Sequence, residues 1–266
     1  MKKILVLLVF ITSIFAADAT IEVVNRGLVL PRILIQDATT NFANSDVKER
    51  FSRMIAGDLT VGSAFEVIEG IEKTTYDAPL GAEIAAKNPA FVLRYELAGG
   101  SGETMLKVKL IDTKDSSVRF EANYSESNLK RWPFLSHRAI ADIARNLELS
   151  PIEWMDKSIV ISQYTKPGEA RIIIADYTLT YQNVVLSGGL NIFPKWANAE
   201  QSAFYYTTHE KGKPTLYKYD LATKQKSRIT SSGGMVVASD VSKDYSKHRL
   251  TMAPADQSVI LLYELK

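Results

Sequence analysis

Asp156-Lys157-Ser158, Glu200-Gln201-Ser202 and Asp244-Tyr245-Ser246 stand 44 residues apart, and the same step relates Ile172, Leu216 and Ile260, then Asp176, Asp220 and Glu264. Each copy reads as a turn, a strand (159–162, 203–207, 248–252), a polar turn, a second strand (170–175, 215–219, 259–263), a turn and a further short strand. Repeats of roughly 40–50 residues carrying several strands are the signature of propeller blades. Copies starting near 154, 198 and 242 therefore predict a partial all-β propeller over residues 151–266.

The residues before the repeat read differently. Short β-branched runs at 20–24 and 31–36 flank the turn signal Asn25-Arg26-Gly27. From Ser45 the period lengthens: Ser45 and Asp46 offer an N-cap, and Val47, Phe51, Met54, Ile55 and Leu59 recur at helical spacing over residues 45–60. A strand at 65–68, an irregular stretch around Pro79 and a short helix at 81–87 follow. Residues 90–97, 105–112 and 118–124 form a meander, linked by Gly99-Gly100-Ser101-Gly102 and by 113–117. A second long helix spans 134–147, with Ile140, Ile143, Ala144 and Leu147 on one face, stopped by Ser150-Pro151. Two long helices against one mixed sheet predict an α/β domain over residues 20–150, and a chain of 266 residues, 46% hydrophobic, has the material for two cores.

Met1-Lys2-Lys3 followed by twelve apolar residues, 4–15, makes a secretory signal too short to span a bilayer. Cleavage is expected after Ala16 or Ala19, leaving a mature chain in the periplasm that does not span the membrane. No cysteine is present, so neither a lipid-attachment thiol nor a disulfide framework is called for. With 32 basic and 30 acidic residues spread evenly, the chain carries no basic tract to hold a phosphate backbone, and nucleic acid is excluded as a partner.

Motifs for chemistry are sparse. His137, His209 and His248 lack a second ligand at metal-binding spacing and read as packed or solvated side chains. Gly99-Gly100-Ser101-Gly102 and Ser187-Gly188-Gly189 end in no Gly-Lys-Ser/Thr and read as turns; no Gly-x-Ser-x-Gly elbow occurs. Asp112 and Asp115 sit in an exposed turn. Trp154, Trp196 and Phe204-Tyr205-Tyr206 fit blade packing better than a ligand-stacking surface. Asp240, aligned 44 residues after Trp196, precedes a blade turn, where propeller loops open toward the channel mouth. No catalytic role, metal or cofactor is expected.

The order of parts resembles the TolB family of the Tol-Pal system: a signal, a small domain with two long helices, the 149–154 junction, then blades carrying Phe193-Pro194-Lys195-Trp196, Leu216-Tyr217-Lys218-Tyr219-Asp220-Leu221 and Ser239-Asp240-Val241-Ser242. The family's common blade turn, Ser-Pro-Asp-Gly, is replaced here by Ala197-Asn198-Ala199-Glu200 and Ser242-Lys243-Asp244-Tyr245. The resemblance implies a six-bladed propeller, with about three and a half blades beyond Lys266, and an aggregation-prone second half in the chain taken alone. It also implies a non-catalytic protein that binds the outer-membrane lipoprotein Pal on its propeller face and the inner-membrane protein TolA through its mature N-terminus, maintaining the envelope and drawing the outer membrane inward at cell division. Carried onto this chain, the N-terminal candidates are Asp18, Ile21, Glu22, Val23 and Arg26 in an addable strand, and the propeller candidates are Asn191, Phe193, Lys195, Asp240 and Ser242. The competing reading is a periplasmic propeller enzyme or carbohydrate-binding module whose site lies in further blades.

Overall fold

The computed structural model describes residues 30–149, 151–242, 247–253 and 259–264, and those from Pro31 onward belong to one compact unit. The N-terminal partner-binding candidates 18–26, the expected strand at 20–24 and the turn residues Lys243, Asp244, Tyr245 and Ser246 lie outside these.

The first half is an α/β layer. In chain order it contains β1 (Arg32–Asp37), α1 (Ser45–Val61), β2 (Glu66–Lys73), α2 (Ala82–Lys87), β3 (Phe91–Gly99), β4 (Thr104–Asp112), β5 (Val118–Glu126) and α3 (Pro133–Asn146). The sheet order is β2-β1-β3-β4-β5, with β1 parallel to both neighbours and β3, β4 and β5 antiparallel. Strand β1, interior to the sheet, is buried on both faces, which is why Ile33, Leu34 and Ile35 form an unbroken apolar run. Ile33 and Ile35 pack toward α1 and α3, while Leu34 meets Ile84 and Val92 on the other face.

Helix α1 starts one residue earlier than its sequence suggests. Asn44, not Ser45 or Asp46, is the cap: its side-chain oxygen accepts from Val47 N at 3.0 Å, satisfying a donor that the helix cannot. Helix α3 begins with Pro133, whose missing N–H is no loss in a first turn. Between Phe134 and Ala144 nearly every side chain of α3 is buried, so the helix is enclosed rather than laid on a surface.

The second half consists of antiparallel sheets, the first blades of a propeller. A short 3-10 turn, Glu153–Asp156, leads into β6 (Ile159–Lys166), β7 (Glu169–Ala175) and β8 (Gln182–Leu186), which form one sheet. Then β9 (Ile192–Trp196), β10 (Ala203–Glu210), β11 (Lys213–Asp220) and β12 (Lys226–Ser231) form a four-stranded sheet in the order β12-β11-β10-β9. A third is built of β13 (Met235–Val241), β14 (Lys247–Ala253) and β15 (Val259–Glu264).

These sheets are out of phase with the 44-residue copies. Strand β9 closes one copy yet pairs with β10 of the next, Trp196 opposite Phe204 and Lys195 opposite Tyr205, and β13 pairs with β14 across the next boundary. Each copy is thereby stitched to its successor by backbone hydrogen bonds. Among the described residues β6, the counterpart of β10, carries no such strand on its far side. Aromatic side chains fill the spaces between sheets: Phe204, Tyr206, Tyr217 and Tyr219 pack with Ile172, whereas Tyr205 faces Leu216, Val236 and Leu250. Trp196 and the Phe204-Tyr205-Tyr206 run thus pack as blade cores do, but Trp154 lies apart, about half exposed on the 3-10 turn and touching Tyr177.

Candidate functional site

Two of the places where polar side chains gather involve the blades. The first lies where β6, β9 and β13 run side by side. Lys195 on β9 and Asp240 on β13 come within 3.9 Å across a cavity of about 560 Å³, which Ser158, Val160, Trp196 and Ser242 also line. Both charges are about half exposed, so their mutual attraction is worth little and both stay available to a partner. Asp240 bends back to accept from Val241 N at 2.8 Å, and Ser242 Oγ accepts from Lys247 N at 2.9 Å.

Beside this cavity β9 bulges. Ile192 pairs with Thr207 and Lys195 with Tyr205, so Phe193 and Pro194 together oppose Tyr206. Phe193 takes a φ of 54°, rare for a non-glycine residue, and the bulge leaves its ring half exposed next to Val160 and Tyr164. Four of the five propeller candidates, Phe193, Lys195, Asp240 and Ser242, therefore fall on one stretch of surface. The fifth does not: Asn191 is 3% exposed, and its Nδ2 donates to Ala170 O at 3.0 Å and Gly188 O at 2.9 Å, holding the turn at 187–189. Asn191 is a turn residue because an amide that satisfies two backbone carbonyls has no surface to offer.

The second place is buried at the meeting of the two halves. Asp58 of α1, Ser136 and His137 of α3, and Asp176 at the end of β7 are all closed to solvent. His137 Nδ1 donates to Asp58 Oδ2 at 2.8 Å and Nε2 to Asp176 Oδ2 at 3.3 Å. Asp58 also accepts the Ser136 hydroxyl at 2.5 Å and the Tyr177 phenol at 2.6 Å. Asp176 Oδ1 accepts from Tyr181 N at 2.5 Å, while Oδ2 takes Thr178 N at 2.9 Å and the Thr178 hydroxyl.

Two carboxylates facing the two ring nitrogens require a proton on each, which makes the ring an imidazolium. Burial by itself pulls the pKa of His137 down, but the bonds to Asp176 and Asp58 outweigh it and push it up to about 9. At Asp176 burial acts upward, and the bonds from His137, Thr178 and Tyr181 outweigh it, holding the carboxyl below its usual range. Burial, with the nearby Asp58 charge, raises the Tyr177 phenol. Ser136 points to Asp58 and not to the imidazole, and both ring nitrogens are engaged by carboxylates. Among the described residues no cluster of His, Asp and Glu is arranged to hold a metal ion.

From the sequence His137 reads as a packed or solvated side chain, and its partners are missed. The signals were present: Asp58 interrupts the apolar stripe Phe51, Ile55, Leu59 of α1, Ser136-His137 interrupts the apolar run of α3, and Asp176 recurs in the 44-residue register.

No family model matches the chain. It is similar to proteins described as Tol-Pal system protein TolB. That of Campylobacter jejuni strain RM1221 is 43% identical over 255 residues, 96% of this chain and 59% of that protein. That of Wolinella succinogenes is 40% identical over 256 residues, 96% of this chain and 60% of its own length. That of Helicobacter pylori strain J99 is 33% identical over 265 residues, 99% of this chain and 62% of its own length. The chain thus spans about three-fifths of the length of the curated relatives it matches. Among solved structures, TolB from Acinetobacter baumannii aligns over 88% of this chain and 69% of its own with a TM-score of 0.39 and 14% identity.

Proposed function

We propose that this chain belongs to the TolB family and is an exported, non-catalytic binding component of the Tol-Pal system. In this reading it works in the periplasm and links the outer-membrane lipoprotein Pal to inner-membrane TolA, supporting envelope integrity and constriction at cell division. The observation that carries the reading is the likeness to TolB proteins along nearly the whole chain, at up to 43% identity. The surface joining Phe193, Lys195, Asp240 and Ser242 is the docking site we assign to Pal: a half-exposed aromatic ring beside one cation and one anion suits a protein partner, with the ring as anchor. The strand-like residues Asp18, Ile21, Glu22, Val23 and Arg26 are assigned to TolA by strand addition.

Equilibrium binding to purified Pal tests the propeller assignment. The Lys195→Ala, Asp240→Ala double variant and Phe193→Ala are each expected to weaken binding at least tenfold, about 1.4 kcal/mol or more. Unchanged affinity in both sinks the assignment. Persistence of TolA binding after deletion of residues 18–26 does the same for the N-terminal segment.

A further inference from the structure

Among the described residues, two short pieces of chain join the α/β layer to the first blade. One is the covalent connection itself, where Ile152 and Met155 join the α/β core and α3 lies against the 3-10 turn Glu153–Asp156. The other is the turn at 176–181 between β7 and β8. Its Tyr177 ring packs on His137 at 4.7 Å and on Trp154 at 5.2 Å, and Tyr181 meets Phe134 at 5.8 Å. Every contact of this turn with α1 and α3 is non-covalent, and its strongest ones are charged.

The turn is built by a device that the blades repeat. In the second blade Asp220, 44 residues after Asp176, accepts from Thr223 N at 2.8 Å and from its hydroxyl at 2.9 Å, a turn closed on itself. Asp176 shapes its turn in the same way but spends a further bond on His137 of the other half. A side chain needed for the local turn thus also serves as the anchor between halves.

We propose that Asp58, His137 and Asp176 form a latch that fixes the orientation of the α/β layer on the first blade, and that opening it lets the two halves reorient while each stays folded. The imidazolium is the moving part of the argument. It belongs to α3, is tied on one side to α1 of its own half, and hydrogen-bonds to the blade through Asp176. Burial raises the cost of breaking the bridge: Asp58, His137 and Asp176 are closed to solvent, so a side chain unable to reach both carboxylates leaves one buried charge without its countercharge. The latch therefore sets how the Lys195–Asp240 surface is presented relative to the α/β layer, whatever binds there.

The chain has no cysteine, so two introduced ones serve as clean sites for spin labels. Ser101→Cys in the α/β layer and Ala222→Cys in the second blade are exposed, and the distance between labels on the 266-residue chain reads the orientation. The latched chain is expected to give one narrow distance distribution. His137→Gln, which has no charge and cannot bridge both carboxylates, is expected to at least double its width with the far-ultraviolet circular dichroism unchanged. Ser136→Ala, which removes an Asp58 bond inside one half, is expected to keep it narrow. A narrow, unshifted distribution in folded His137→Gln overturns the proposal. If that variant does not fold, the unsubstituted chain is taken from pH 7 to pH 10.5. The ionisable groups facing His137 are Asp58 from α1 and Asp176 and Tyr177 from the turn, Ser136 and Phe134 of α3 being neutral; broadening with a midpoint near 9 supports the latch, and no broadening overturns it.

Discussion

Removing the charge on His137 gives the most exacting test of the buried network in terms of stability. Its pKa is about 9 in the folded chain against 6.5 for the ordinary side chain. At about 1.4 kcal/mol per pH unit this rise amounts to about 3 kcal/mol of folding free energy. Because the folded value lies above the unfolded one, the contribution is fully present below pH 6.5 and is lost as pH rises through 9. Asp176 works in the opposite sense: held below its usual range, it contributes above the unfolded carboxylate pKa and its contribution fades in acid. Stability should therefore fall on the alkaline side through His137 and on the acid side through Asp176. Urea unfolding of the chain at pH 6 and pH 9.5, compared with His137→Gln, isolates the alkaline limb. The unsubstituted chain is expected to lose about 3 kcal/mol more than the variant over this interval. Parallel losses would mean that His137 does not carry a proton between the two aspartates, and the reasoning would fail.

Two further substitutions probe the same junction. Asp58→Ala strips the acceptor from Ser136, His137 and Tyr177 together, and is expected to cost about 3–5 kcal/mol in urea unfolding, against about 1.5–3 kcal/mol for Tyr177→Phe, which removes one bond to a charged group. A Tyr177→Phe cost equal to that of Asp58→Ala would contradict the assigned bonding. At the end of α1, a Cβ on Gly62 would lie 3.1 Å from Ile152 Cδ1 and 3.2 Å from Asp58 O, so Gly62→Val is expected to cost about 1–3 kcal/mol by overpacking the connection, read as a lowered melting temperature. A neutral Gly62→Val would show that α1 and the connection have room to part.

Element types were legible where one periodicity acts alone. Helix α1 carries Phe51, Ile55 and Leu59 at helical spacing, and β4 and β5 alternate or run apolar as their burial requires. The cap of α1 was misread by one residue because Asn44, Ser45 and Asp46 are all good caps, and only the Asn44–Val47 geometry separates them. In the blades the repeat shows the step of 44 residues but not the phase. A translation maps Ala203 onto Lys247 whichever strand is counted first, so the pairing of β9 with β10 across a copy boundary is invisible to it. Asn191 was misplaced for a related reason, since an amide before a bulged strand has the same sequence context whether it faces solvent or the Gly188 carbonyl. The junction was hidden because its partners are 39, 78 and 79 residues apart, and a buried ion network leaves only solitary polar residues in apolar stripes as its trace.

The repeat that hid the phase supplies an internal control for the network. Asp176 and Asp220 occupy equivalent turns 44 residues apart and cap them with the same chemistry, a carboxylate accepting from an amide and a threonine hydroxyl downstream. Backbone and hydroxyl bonds from Thr223 hold Asp220 below its usual range at the surface; at Asp176 burial opposes this and the imidazolium is needed as well. Alanine at either position removes a turn cap, but alanine at 176 also strands a buried imidazolium on one carboxylate, which adds about 3–5 kcal/mol. The difference in unfolding free energy between Asp176→Ala and Asp220→Ala therefore reports the junction with the turn cancelled out. Adding His137→Gln to each should erase most of that difference, because the cation and its buried anion then leave together. If the gap between the two alanine variants survives His137→Gln intact, Asp176 acts through its turn alone, and the two halves are held by apolar packing at Phe134, Tyr177 and Tyr181.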